Sequence, residues 1–294
     1  MANNIPVNYN SASALRSFLE KEGLGMQKKF GQNFLINPAV RQALVETLGA
    51  EAGDDVWEIG PGLGAMTALL LEKGLTVKAF EIDTGFIRVL KQIFSGNDKF
   101  EIIEGDCLKT WSTQKSARFF LGNLPYNVAA VLIADLIEKN CLFQRMVVTV
   151  QKEVALRMSA KAGSKDYSSF SVLCSSAYKV KSLMTISPSS FYPHPNVDSM
   201  GVLLELDTEK NKLPKPPLFF PLVRALFASR RKTIKNNLSA FISSIKEKFP
   251  AEIEKREICR ILLNENGLTG NERAEELGTE KFLSLAKSIG NMRK

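Results

Sequence analysis

A mostly parallel, doubly wound α/β sheet followed by a small all-helical domain is the fold class that this sequence predicts. Three observations carry it. From about Asp54 to Leu206, short apolar runs alternate with helical periodicities, the pattern of strands joined by crossover helices. Beyond Pro217 the apolar spacing is helical throughout. Between the two, Asp207 to Pro217 is polar and carries Pro214, Pro216 and Pro217, which reads as a linker. Residues 1–206 are thus expected to hold an N-terminal segment and the sheet domain, 207–217 a linker, and 218–294 the helical domain.

The elements follow in order. An N-terminal helix over Ala12–Lys21, a basic turn and a helix over Pro38–Leu48 precede the sheet. Val56–Ile59 is a short apolar strand running straight into Gly60-Pro61-Gly62-Leu63-Gly64, after which Met66–Leu71 continues as a helix. Thr76–Phe80 reads as the second strand, with helical spacing after it at Phe86, Ile87, Leu90 and Phe94. Phe100–Ile103 and Phe119–Leu121 are the third and fourth strands. A helix over Ala129–Glu138 leads to the fifth, Met146–Val150. Lys179–Ile186 and Met200–Leu206 read as late strands, a hairpin closing the sheet's edge. In the tail, helices are expected over 218–227, 234–249, 258–263 and 280–289.

Composition narrows the function. With 45% hydrophobic and 24% charged residues in a 294-residue chain, a sizeable buried core is expected. No apolar run reaches the roughly 20 residues that span a bilayer, and the first residues lack a secretory signal's basic start and apolar core. A cytoplasmic protein without membrane partners is expected. Cys107, Cys141, Cys174 and Cys259 are scattered and His194 is the one histidine, so neither a zinc cluster nor a Ser-His-Asp triad is expected. Charge is uneven. The first 206 residues carry a net +1 and the last 88 a net +7. A concentrated positive field suits a polyanion, nucleic acid before an anionic membrane.

Two motifs carry chemistry. Gly60 and Gly62 stand where the first strand becomes a helix, where glycine lets the backbone approach a ligand and the helix-start amides face an electronegative group. About 20 residues on, Glu81 ends the second strand, the position that bonds ribose hydroxyls in nucleotide folds. Pro61 within the loop and the short glycine spacing disfavour a dinucleotide. The pattern resembles the glycine motif of S-adenosylmethionine methyltransferases, in which an acidic residue such as Asp106 contacts the adenine amine. Asn123-Leu124-Pro125-Tyr126 follows the fourth strand, where open α/β sheets place their sites. An adenine exocyclic amine is a poor nucleophile because its lone pair is delocalised into the ring. Accepting its N–H bonds at the Asn123 side chain and the Pro125 carbonyl would localise that pair, and Tyr126 offers a flat face to a flipped-out base. No general base of tuned pKa is needed.

Taken together, the chain resembles the rRNA adenine N6-dimethyltransferases of the KsgA (RsmA) type over essentially its whole length. Phe30-Gly31-Gln32-Asn33-Phe34-Leu35 is similar to the family's opening motif, which implies that Asn33 and Leu35 contact S-adenosylmethionine. Gly60, Glu81, Asp106 and Asn123 match the remaining cofactor contacts in order. Gln151-Lys152-Glu153-Val154, the segment from Ser190 to Ser199 and Arg230-Arg231-Lys232-Thr233 resemble further family motifs. Cys107, where a small residue is more usual, and a long stretch before Phe30 are departures. The resemblance implies transfer of two methyls to N6 of each of two adjacent adenosines. These lie in the hairpin loop near the 3′ end of 16S rRNA, within the 30S particle.

Other residues keep two readings. Phe191 is either a second stacking face for the base or a core aromatic. Arg230, Arg231, Lys232 and Lys235 are either an rRNA backbone clamp or a solvated basic face, and Lys28 and Lys29 are open in the same way. Two other functions compete. One is a large-subunit (23S) rRNA adenine methyltransferase of the antibiotic-resistance kind; the other is a 30S assembly factor acting mainly by binding. A monomer is expected, because no long apolar face is left unassigned.

Overall fold

The structure is a computed structural model describing residues 7–26, 32–125, 128–212 and 214–292. The chain opens with α1 (Ala12–Lys21), β1 (Phe34–Leu35) and α2 (Pro38–Leu48). Then come β2 (Asp55–Ile59), α3 (Ala65–Glu72), β3 (Thr76–Glu81), α4 (Thr84–Ile93), β4 (Phe100–Glu104) and the short α5 (Cys107–Thr110). β5 (Phe119–Asn123), α6 (Ala129–Glu138), β6 (Arg145–Gln151), α7 (Lys152–Ser159) and α8 (Ser169–Ala177) follow. β7 (Tyr178–Ile186), β8 (Phe191–Tyr192) and β9 (Ser199–Leu206) complete the strands, and α9 (Phe219–Phe227), α10 (Ile234–Ser244), α11 (Lys255–Glu265) and α12 (Thr279–Met292) the helices.

Seven strands form one sheet in the order β4-β3-β2-β5-β6-β9-β7. From β4 to β6 all pairs are parallel, and β9 runs antiparallel to β6. The late strands therefore do lie side by side at one edge. Parallel strands covered on both faces need continuous apolar runs, and Met146 to Val150 in β6 are all buried. α6 meets the sheet with a helical stripe, burying Ala129, Leu132, Ile133, Leu136 and Ile137. The chain winds outward from β2 through β3 to β4, then returns to the other side of β2 with β5. That reversal leaves a crevice beyond the carboxyl ends of β2 and β5, where ligands of such sheets bind. β1 and β8, too short to read from sequence, pair Leu35 with Phe191 and set the opening motif beside the crevice.

The chain divides into two compact units, Met1–Ala155 with Val180–Leu206, and Leu156–Lys179 with Asp207–Lys294. One boundary between the units falls after Leu206. Leu156–Lys179, expected with the sheet, belongs instead to the helical unit, where Tyr167 and Val172 share an apolar cluster with Phe219, Leu222 and Phe282. The Tyr167 hydroxyl donates to the Leu277 carbonyl at 2.9 Å. Because α8 is buried nearly all round, it has no amphipathic period to betray its partner. Among the described residues, no helix is long and apolar enough to cross a membrane.

Within the helical unit the buried Asn237 donates from Nδ2 to the carbonyls of Leu226 at 2.8 Å and Ser229 at 3.2 Å, tying the end of α9 to α10. Asn237→Ala leaves those carbonyls short of a donor and should cost about 1–3 kcal/mol. Hydrogen exchange checks this: amides of α9 and α10 lose protection while those of β2, β5 and β6 keep theirs.

Candidate active site

A cavity of about 370 Å³ opens at the carboxyl ends of β2, β3 and β5. Asn33, Leu35, Gly60 and Gly62 line it, as do Glu81, Asp106, Asn123 and Pro125. Every residue expected to contact the cofactor is thereby brought to one place. Tyr126, Lys28, Lys29, Phe30 and Gly31 lie outside the described residues.

The glycine loop takes a path that side chains resist. Gly60 and Gly62 have φ of +68° and +59°, and a Cβ on Gly62 would stand 3.0 Å from the Phe34 ring. The loop is tied to the next strand through Glu81, 6% exposed. Its Oε2 accepts from the Gly62 N–H at 3.3 Å, and its Oε1 accepts from the N–H groups of Ile82 and Asp83, both at 2.9 Å. Burial pushes the Glu81 carboxyl up to about 7 against those three donors, with the Asp83 charge adding to the rise. Asp83 caps α4 by accepting from Gly85 and Phe86, and Gln32 of the opening motif donates to its Oδ2 at 2.9 Å. Asp106 caps α5, accepting from the Leu108 N–H at 3.0 Å.

Beneath the loop lies a second acid, Glu58, fully buried in β2. Its Oε2 accepts from the Thr67 hydroxyl at 2.6 Å, while its Oε1 has no hydrogen-bond partner among the described residues. Burial pushes this carboxyl up to about 7; the Thr67 bond opposes the rise and the Glu81 charge adds to it.

At the end of β5, Asn123 Nδ2 donates to the Asn33 carbonyl at 2.8 Å. A carbonyl can only accept, so the amide must turn its NH₂ that way, which leaves Oδ1 as its acceptor end. The Pro125 carbonyl accepts the N–H groups of Val128 at 2.9 Å and Ala129 at 3.1 Å, and so starts α6.

One expectation is corrected. Phe191 is 1% exposed in the apolar cluster that includes Leu35 and Ile186, so it is a core aromatic with no face for a base. Arg230 is held by its own unit: Nε donates to Glu275 Oε2 at 3.2 Å, and Nη2 to the Lys165 carbonyl at 3.1 Å. Arg231, Lys232 and Lys235 are exposed around the start of α10. Tyr9, Leu15 and Arg41 also line the cavity and were not anticipated. The signal for Arg41 was available, a cation three, four and seven residues before the apolar Leu44, Val45 and Leu48 on one helix face. Among the described residues, no group of three or more His, Cys, Asp and Glu side chains could hold a metal ion.

Apolar walls from Leu35, Ile59 and Met66, a glycine loop of open backbone and acceptors at Glu81, Asp106 and Asn123 fit a nucleoside with a polar tail. A family model described as ribosomal RNA adenine dimethylase matches residues 23–289. The chain is 47% identical to a Treponema denticola protein named ribosomal RNA small subunit methyltransferase A, over 98% of this chain and 97% of that one. A Lactobacillus acidophilus protein of the same name is 33% identical, over 98% and 99%. Among solved structures, a dimethyladenosine transferase from Plasmodium falciparum superposes with a TM-score of 0.77 at 26% identity, covering 87% of this chain and 98% of that one. The 23S rRNA methyltransferase ErmE, at 20% identity and a TM-score of 0.62 over 87% and 98%, shares the fold.

The paired acids predict a pH dependence. Both folded-state values lie above the ordinary 4.5, so between about 4.5 and 7 the folded protein holds protons that the unfolded chain has released. Stability therefore falls as pH rises through that window. Glu58→Gln removes one titrating group, so its melting temperature relative to the unaltered protein should be higher at pH 8 than at pH 5. An equal offset at both pH values would contradict the assignment.

Proposed function

Because the chain belongs to the ribosomal RNA adenine dimethylase family, we propose that it places two methyl groups on N6 of each of two adjacent adenosines in the hairpin loop near the 3′ end of 16S rRNA, within the 30S particle. The chain is an rRNA adenine dimethyltransferase; the target nucleotides, the particle, the cytoplasm as its place of action and the monomeric state belong to the proposal. Relatives named for the small subunit at 47% and 33% identity support that target over the large subunit.

The observation that carries the reading is the amide of Asn123, oriented by the Asn33 carbonyl at the cavity's edge. S-adenosylmethionine, when bound, supplies an electrophilic methyl on a sulfonium. Glu81 holds the ribose hydroxyls, Asp106 the adenine amine, and Gly60 and Gly62 let the backbone close on the ligand. Asn33 and Leu35 shape the wall opposite. Asn123 Oδ1 accepts an N–H of the target amine, drawing its lone pair out of the ring and toward the methyl. Tyr126 stacks on the flipped base. The contribution is largely positioning, which can supply much of such a barrier, and the amine's proton leaves to water after transfer. Arg231, Lys232 and Lys235 hold rRNA phosphates, an interaction that weakens with added salt.

Methyl transfer from labelled S-adenosylmethionine tests this on unmethylated 30S particles, mature 50S particles and naked 23S rRNA. Dimethyladenosine confined to the 3′ end of the 30S RNA is expected. Label on naked 23S rRNA would move the protein to the large-subunit class, and no label with cofactor bound would leave the assembly role. Asn123→Ala should lower transfer about 10²–10³-fold, the range for losing one preorganised contact to a reacting group. Tyr126→Ala should lower it comparably while S-adenosylmethionine affinity stays within about threefold, read by calorimetry.

A further inference from the structure

Arg41 is a cation that the roles above leave without a task. It lines the cavity and is 5% exposed. Its Nη1 donates to the carbonyls of Leu35 and Tyr9, the latter at 3.2 Å, and its Nη2 to the side-chain oxygen of Asn10. All three acceptors are neutral. Among the described residues it makes no ion pair. A guanidinium has five N–H groups, so these bonds orient the fork and leave both spare donors and the whole charge.

Such a charge is costly in place. Buried ions are ordinarily paired, because desolvation removes more than a few neutral hydrogen bonds return. Arg41 also sits in the first turn of α2, where the helix's own N–H groups already make the field positive. A hydrocarbon side chain would suit the stripe it shares with Leu44, Val45 and Leu48. Guanidinium and helix start together favour an anion, and the cavity is where one can enter.

The cavity carries charges of both signs. Glu81 and Asp106 mark the end formed by β3 and β4. Arg41 stands with Leu35 of β1, at the end where Asn33 is bonded to Asn123 of β5. A nucleoside whose ribose and base engage the acids directs its 5′ substituent away from them, along the cavity wall that Arg41 also lines. We infer that Arg41 binds the carboxylate of the cofactor's amino-acid tail, in an ion pair completed only by the ligand. The inference rests on the reading of this cavity as an S-adenosylmethionine site. The residues before the opening motif then acquire a purpose. Tyr9 donates its hydroxyl to the Leu63 carbonyl at 2.9 Å, and its own carbonyl steadies the guanidinium, so Tyr9 and Asn10 aim Arg41.

The test compares S-adenosylmethionine with its decarboxylated form, which keeps the adenosine, sulfonium and amine. Dissociation constants are measured by calorimetry on the unaltered chain, Arg41→Met and Arg41→Lys. The unaltered chain should prefer the carboxylated ligand by about 10- to 100-fold, the scale of a charge-assisted pair. Arg41→Met should shrink the preference to within about threefold by weakening S-adenosylmethionine alone, and Arg41→Lys should restore part of it. Equal weakening of both ligands in Arg41→Met would reduce Arg41 to a brace for Tyr9 and Leu35 and overturn the inference. So would an unaltered chain that binds both ligands tightly and alike, a result that leaves the cofactor reading intact. If the unaltered chain binds neither, the cofactor reading itself falls, and the inference with it. Should Arg41→Met fail to fold, Arg41→Gln, which keeps N–H donors but removes the charge, decides: an undiminished preference for the carboxylated ligand contradicts the pair.

Discussion

The carboxylate of Glu81 is the constraint on which the site depends. Three backbone N–H groups converge on it, from Gly62 in the loop after β2 and from Ile82 and Asp83 beyond β3. Through Asp83 the same junction starts α4 and receives Gln32 of the opening motif. Two acids two positions apart therefore join the glycine loop, a helix start and Gln32. The cost is a carboxylate almost out of water, with Glu58 buried close enough for the two charges to oppose each other. Strand order makes the meeting possible, since β2 lies between β3 and β5 and its loop has an acid on one side and Asn123 on the other.

The proposed chemistry and binding divide along that line. Acceptors on β3 and beyond β4 suit a ribose and a base, whereas the end of β5 presents an amide whose direction is set by a backbone carbonyl. The acids of raised pKa, Glu58 and Glu81, belong to β2 and β3 and not to the end of β5, and a transfer whose barrier is lowered by orienting the lone pair needs no general base. The rigid parts are the parallel strands, with Met146 to Val150 wholly buried. The ligand-facing parts are their ends, where glycine and asparagine tolerate what apolar residues cannot.

Much of this was legible because several site residues lie at or just beyond the ends of strands. Gly60, Glu81, Asp106 and Asn123 could be placed by finding where strands end. What escaped depends on partners far away in sequence. Phe191 before a proline-rich loop looks the same whether it stacks on a base or enters the core, and only its pairing with Leu35 decides. Arg230 sits in a run of cations, yet its acceptors are some 65 residues earlier and 45 later. The helix over Ala129–Glu138 was foreseen, but not that its first N–H groups reach back to Pro125. Arg41 lies on a helix, and only its acceptors at Leu35 and Tyr9 bring it to the cavity. Leu156–Lys179 carried no periodicity to assign it to the helical unit.

The most direct measurement of the account is the affinity of S-adenosylhomocysteine for Glu81→Gln beside the unaltered chain, by calorimetry at pH 8. Glutamine keeps one acceptor oxygen and replaces the other with a donor, so the loop loses its tie and the ribose its anionic acceptor. A charged acceptor contributes enough that affinity should fall about tenfold or more, with circular dichroism unchanged. Affinity within twofold of the unaltered chain would contradict the claim that this carboxylate organises the site.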